Sequence, residues 1–185
     1  MRRSIRDEIA AFKPYNEQEE KDKVLILDFL DRNPDAFLRS NRLAHMTASA
    51  WIVNPARSKV LMVYHRLYDS WSWTGGHADG ETDLLAVALR EVREETGLRL
   101  DPDAGRLLFQ FSGDHYLCDT WLFEREIDLD EIVLRPGETC GKRLADADTI
   151  RALNKAGEFF AFEDLERVLA WEDKRKIRVE SEEWS

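Results

Sequence analysis

Apolar residues recur along the chain in two rhythms. In "NEQEEKDKVLILDFLDRN", residues 16–33, a polar frame surrounds Val24, Leu25, Ile26, Leu27, Phe29 and Leu30, while Asn16 and Glu19 have the spacing of a helix N-cap and its capping-box partner. Asn33-Pro34 stops that helix, since a residue before proline is pushed out of the helical region. The first 45 residues read as helical as a whole. From Met46 the rhythm shortens: "MTASAWIV" and "VLMVYHR" are β-rich runs separated by the turn-forming "NPARSK", which predicts two adjacent strands. "WSWTGGHADG" reads as a loop by its glycines. Asp83 to Thr96 reads as a helix with Gly97 at its C′ position. "RLLFQFS" and "YLCDTWLFERE" are again strand-like, joined by Gly113-Asp114. After "PGET" a second helix is predicted around Ala145 to Ala156, closed by Gly157, and a third, amphipathic one from about Glu163, after "EFFAF". The charged end "EDKRKIRVESEEWS" reads as frayed. The order of helix, strands, helix, strands and helices predicts an α/β or α+β arrangement around one mixed sheet. Residues 1–45 then form an N-terminal helical extension and residues 46–185 the main domain.

The Asp83 to Thr96 helix carries a conflict. Leu85, Leu89 and Val92 are spaced to make an apolar stripe that docks on a sheet. Glu91, Glu94 and Glu95 fall within an arc of roughly 100° on another face, so their carboxylates point into nearly the same space. Glu91 and Glu95 repel as a like-charged i,i+4 pair, and Glu94 and Glu95 lie in the last turn against the negative end of the helix dipole. Arg90, one turn before Glu94, relieves part of this repulsion. Two readings stand side by side: a solvated acidic face, or a site where a cation supplies the counter-charge. Gly75 and Gly76, just upstream, let backbone approach a ligand closely and expose carbonyl oxygens. Carbonyls and carboxylates are the donors that Mg²⁺ or Mn²⁺ takes, commonly together with substrate phosphates.

Composition narrows the partners. The chain has 185 residues and a formal net charge of -10, enough length for one sizeable core and a surface that repels phosphate backbones and anionic membranes. Polymeric nucleic acid and membranes are therefore not expected, whereas a compact anion carried with a divalent metal is compatible with the charge. The "KRK" at 174–176 is too short for a nucleic-acid patch. Cys118 and Cys140 are too few for a disulfide scaffold and read as ordinary thiols of a reducing compartment, Cys140 as an inert one. Asp7 and Glu8 interrupt the basic start before a signal-peptide core develops, and no stretch reaches the roughly 20 apolar residues of a membrane span. A cytoplasmic protein is the expectation.

From Gly76 to Leu98 the sequence resembles the signature of the Nudix hydrolase family, G-x5-E-x7-R-E-U-x-E-E-x-G-U with U aliphatic. Arg90, Glu91, Val92, Glu94, Glu95, Gly97 and Leu98 match its second half without a gap. The early glutamate of the pattern falls on Thr82, with Glu81 one place before it. The resemblance implies an α/β/α sandwich around a mixed sheet, here with an extra N-terminal helical segment. It also implies Mg²⁺- or Mn²⁺-dependent hydrolysis of a diphosphate bond in a small phosphorylated substrate, a nucleoside diphosphate linked to another group. Carried over by position, Glu91, Glu94 and Glu95 are metal ligands, Gly76 a carbonyl ligand, and Arg90 an orienting partner for a glutamate.

A general base is also needed, from the box or from a later loop, where Glu138, Asp146 and Asp148 are the candidates. His77 is a candidate to touch phosphate, and Trp73, beside Trp71 and Tyr68, to stack on a base. His45, His65 and His115 share no ligand spacing and read as structural or surface residues. Residues 1–45 suit a cap, a dimerisation element of a homodimer or a substrate-selecting lid. Two other readings are a Nudix-like nucleotide sensor and, less fitting, an isopentenyl-diphosphate isomerase. The isomerase has a catalytic cysteine in the loop before the helix, where this chain has Thr74-Gly75-Gly76-His77.

Overall fold

Side chains set the ends of the helices. In the computed structural model, which describes residues 4–14, 16–113, 115–160 and 165–169, Ser4 accepts from the Asp7 amide to cap α1 (Ile5–Ala11). Asn16 accepts from the Glu19 amide to cap α2 (Glu17–Arg32), as its spacing predicts. Helix stops at Arg32, so the helical reading of the first 45 residues is too long. Residues 33–44 are turns in which Asn41 accepts from the amides of Leu43 and Ala44 and donates to Asp35, satisfying locally what a helix would otherwise satisfy. Within α2 the apolar run also misleads. Val24 and Leu25 are 59% and 52% exposed, and the buried positions are Glu19, Asp22 and Ile26.

The strands β1 (His45–Val53), β2 (Val60–His65), β5 (Arg106–Ser112) and β6 (Tyr116–Glu124) fall where the apolar runs predict them. Between β1 and β2 the Asn54 carboxamide oxygen accepts from the amides of Ser58 and Lys59 and closes the turn. Three strands were not anticipated. β3 (Ser70–Ser72) and β4 (Thr74–His77) replace the expected loop, and β7 (Thr139–Ala145) precedes the second helix. β7 is polar and carries Gly141, so it lacks an apolar run. It pairs with β2 along its length, and Gly141 lies where a Cβ would meet Tyr64 Cβ at 2.9 Å. The remaining helices are α3 (Leu84–Thr96), α4 (Ala147–Ala156), capped by Asp146 and closed by Gly157 in left-handed conformation, and the short α5 (Leu165–Leu169). The expected start of a third helix at Glu163, and the charged end with its "KRK", lie outside the described residues. Among the described residues no helix is long and apolar enough to cross a membrane.

Contacts divide the chain into two compact units. The first comprises Met1–Ala50, Thr74–Glu94 and Arg99–Phe123. Its sheet runs β5, β6, β1, with β4 antiparallel to β1. The links of β1 to β6 advance together along both strands, His45 to His115, Thr47 to Leu117 and Ser49 to Thr120, which makes that pair parallel and the sheet mixed. α2 packs over β5, and Ile9, Ile26, Met46 and Ala88 are fully buried. The second unit comprises Trp51–Trp73, Glu95–Leu98 and Glu124–Ser185. There β2 lies between β3 and β7, α4 packs on β7, and Trp51, Met62 and Ile150 form part of the core.

α3 packs on a face rotated from the predicted stripe. Leu84, Leu85, Val87, Ala88 and Val92 are buried, but Leu89 is only half-buried. At about 100° per residue the centre of the buried face lies near Ala88, with Leu89 about 100° away at its edge and Glu95 only about 20° from its middle. The carboxylates therefore do not share one separate face: Glu95 is fully buried, Glu91 is 9% exposed, and Glu94 is exposed.

Candidate active site

Backbone proximity builds the centre of the site. In β4, Gly75 and Gly76 pair in register with Ser49 and Ala48 of β1. A Cβ on Gly75 would come within 2.6 Å of Ser49 Cβ, and one on Gly76 within 2.5 Å of the Glu91 carboxyl carbon. Gly75 thus admits no side chain against the β1 backbone, and a side chain at Gly76 would displace the Glu91 carboxylate. Arg90 completes the arrangement: Nη2 donates to the His77 carbonyl at 2.6 Å, and Nη2 and Nε donate to Glu91 Oε1 at 2.8 and 3.2 Å. Gly76, His77, Arg90 and Glu91 are brought together, with Arg90 bonded to Glu91.

Glu95, in the second unit, is buried beside a histidine that the sequence reading set aside. His65 Nε2 lies 3.5 Å from Glu95 Oε2, and His65 is itself only 4% exposed. The available signal for His65 is its place at the end of the apolar run of β2, a strand buried along almost its whole length. Among the described residues, no three His, Cys, Asp or Glu side chains are gathered as a metal cage. The donor set is nonetheless one of hard oxygens, with the Glu91 carboxylate pressed against the Gly76 backbone, and this chemistry fits Mg²⁺ or Mn²⁺.

His77 and His45 form a second feature. His45 Nε2 and His77 Nδ1 are 2.7 Å apart, with ring centroids at 4.7 Å. Burial, then the charges of Arg39 and His45, hold the His77 pKa below its ordinary value. Arg39 grips Asp79 through two hydrogen bonds of 2.5 and 2.7 Å, which keeps the Asp79 carboxyl below the usual range. Sequence spacing alone gives His45 a structural or surface place; its pairing depends on the register that sets Thr47 opposite His77.

The other candidates have different work. Trp73 is 7% exposed and edge-on to Trp51 at 5.2 Å, a core residue rather than a platform for a base. Trp71 stacks under the Arg143 guanidinium at 5.0 Å, and Tyr68 is 54% exposed. Asp146 caps α4 by accepting from Thr149, and those bonds hold its carboxyl low, the opposite of what a base near neutral pH needs. Asp148 pairs with Arg151 at 3.0 Å and Glu138 with Arg135 at 2.9 Å. Glu81 accepts from the Asp83 amide at 2.9 Å at the start of α3, and Thr82 is exposed. His115 is exposed and gives its carbonyl to the His45 amide. Cys140 is exposed, whereas burial pushes the Cys118 thiol up to about 11, leaving it an inert core residue.

Comparison with known proteins gives three findings. A family model described as the NUDIX domain matches residues 43–179. An uncharacterised Nudix hydrolase of Listeria monocytogenes is 26% identical over 151 residues, covering 73% of this chain and 88% of the relative. Among solved structures, a protein of Deinococcus radiodurans aligns with a TM-score of 0.56 at 18% identity, covering 71% of this chain and 85% of that one. A Nudix hydrolase from Nitrosomonas europaea aligns with a TM-score of 0.53 at 20% identity, covering 68% and 86%. These two structures support the fold, a mixed sheet with flanking helices.

Proposed function

The chain belongs to the Nudix hydrolase family, and on that premise we propose that it cleaves the diphosphate bond of a nucleoside diphosphate linked to a further group, with Mg²⁺ or Mn²⁺ as cofactor. The observation that carries this reading is the clamp of Arg90 on Glu91 and the His77 carbonyl, with Gly76 backbone lying on the Glu91 carboxylate. Glu91, Glu94, Glu95 and the Gly76 carbonyl would hold the cation, which when bound polarises phosphoryl oxygens and lowers the pKa of an attacking water. Arg90 orients Glu91 and joins it to β4, so the acid and the glycine backbone keep a fixed relation. Gly75 and Gly76 let Ser49 and the Glu91 carboxylate lie close against the β4 backbone, and residues 1–45 are a cap, a dimerisation element or a substrate-selecting lid.

One observation favours a second reading, a nucleotide sensor: Thr82 stands at the early glutamate of the pattern, and Glu81 is turned to the Asp83 amide. The test is product identification by mass spectrometry from a pooled panel of nucleotide sugars, dinucleotides, deoxynucleotides and prenyl diphosphates, with Mg²⁺ and with a chelator. Cleavage between phosphorus atoms that needs Mg²⁺ is the expected result. Binding without cleavage would favour the sensor, and isomerisation of a prenyl diphosphate the isomerase.

A further inference from the structure

The contact between His45 and His77 requires that one nitrogen carry a proton and the other accept it, at 2.7 Å between Nε2 and Nδ1. If His77 donated from Nδ1, neutral His45 would hold its own proton on Nδ1, an atom that is buried and has no hydrogen-bond partner. If His45 donates from Nε2, its buried Nδ1 is a bare lone pair instead. Orphaned buried N–H groups are rare in folded proteins, and on that ground we take the second arrangement. His77 then accepts at Nδ1 and carries its proton on Nε2. That Nε2 makes no hydrogen bond among the described residues, and the side chain is half-buried, next to Gly76. The backbone of His77 is held at two points, Arg90 bonding its carbonyl at 2.6 Å and the strand register placing it opposite Thr47, while His45 Nε2 holds the ring.

We propose that His77 donates its Nε2–H to a phosphate oxygen of the substrate, and that His45 is the positioning residue that fixes the donating tautomer. A bare Nε2 would suit a base; a protonated one beside Gly76 and the Arg39–Asp79 pair suits an anionic oxygen. This inference rests on the diphosphate reading of the site for the identity of its ligand, but the tautomer itself does not depend on turnover.

The experiment is ¹⁵N NMR of the histidine rings in the full chain, free and with methylenediphosphonate plus Mg²⁺, for the wild type, His45→Phe and His45→Gln. In the free wild type His77 shows the Nε2–H tautomer, and its ring signals move when the diphosphonate is added. His45→Phe releases His77 into a mixture of tautomers and weakens diphosphonate binding by the reciprocal of the Nε2–H fraction, about twofold for an even mixture. His45→Gln, whose amide N–H can replace the donor, keeps both. An Nδ1–H tautomer of His77 in the wild type, equal losses in the two variants, or His77 signals unmoved by the diphosphonate would overturn the inference. Unmoved signals in a protein that still hydrolyses its substrate leave the hydrolase reading intact, and a fixed Nε2–H tautomer in a protein without turnover separates the two the other way.

Discussion

Asp119 has no exposed surface, accepts one hydrogen bond from Gln110 Nε2 at 2.7 Å, and leaves Oδ2 without a partner. Burial, only partly offset by Gln110 and reinforced by Glu8, raises its pKa to about 7. A folded-state pKa above the unfolded value, about 4, means that the folded protein binds the proton more tightly. This contribution to stability is therefore full at low pH and is lost as pH rises through the window up to about 7, by an amount on the order of a few kcal/mol. Asp119→Asn mimics the protonated form, so melting temperatures of variant and wild type should diverge between about pH 4 and 7, with the wild type falling behind at the alkaline end. Parallel curves would contradict this account of Asp119. Gly76 gives a second prediction at this scale. Gly76→Ala puts a Cβ within 2.5 Å of the Glu91 carboxyl carbon, and displacing that carboxylate should lower turnover roughly a hundredfold, the scale of one lost electrostatic contact in a transition state. A variant with wild-type turnover would show that Glu91 need not stay where it is. The box residues were legible because their spacing is fixed along one helix and one turn. The His45–His77 and His65–Glu95 contacts were not, because strand pairing and burial create them across long separations in sequence.

α3 shows how an element can be found correctly and oriented wrongly. Its boundaries follow from Asp83, which accepts from the Ala86 amide, and from Gly97 at φ +72°, both visible in the sequence. Its buried face was not, since the Leu85, Leu89 and Val92 stripe ignores Leu84, Val87 and Ala88, and no rule of amphipathicity places Glu95 in the middle of a packed face. Leu84→Ala should cost about 2–5 kcal/mol in denaturant unfolding, whereas Leu89→Ala should cost less than half as much. Equal losses would restore the stripe read from the sequence. The same distinction separates the strands: β1, β2, β5 and β6 bury apolar runs and were legible, while β3, β4 and β7 owe their form to pairing with β1 or β2 and carry serine, glycine and charge. α2 is the converse case, with caps that fix its ends and an apolar run that leaves Val24 and Leu25 exposed.

At the scale of the whole molecule, a net charge of -10 accompanies two buried carboxylates on one helix, Glu91 at 9% and Glu95 at 0% exposure. Arg90 answers Glu91, and the proposed function assigns a divalent cation to the remaining negative charge of the box. A cation that binds only the folded chain stabilises it by mass action. Millimolar Mg²⁺ should therefore raise the melting temperature beyond a monovalent salt of matched ionic strength, and an identical response to both salts would count against a bound cation. The central claim, that the box carboxylates carry hydrolysis of a diphosphate bond, is tested most directly by turnover of Glu91→Gln and wild type on the substrate that the panel identifies, at saturating Mg²⁺. The account predicts that the variant keeps its fold, read from its circular dichroism, and loses roughly a hundredfold or more in kcat/KM. A folded Glu91→Gln protein with undiminished turnover would contradict it.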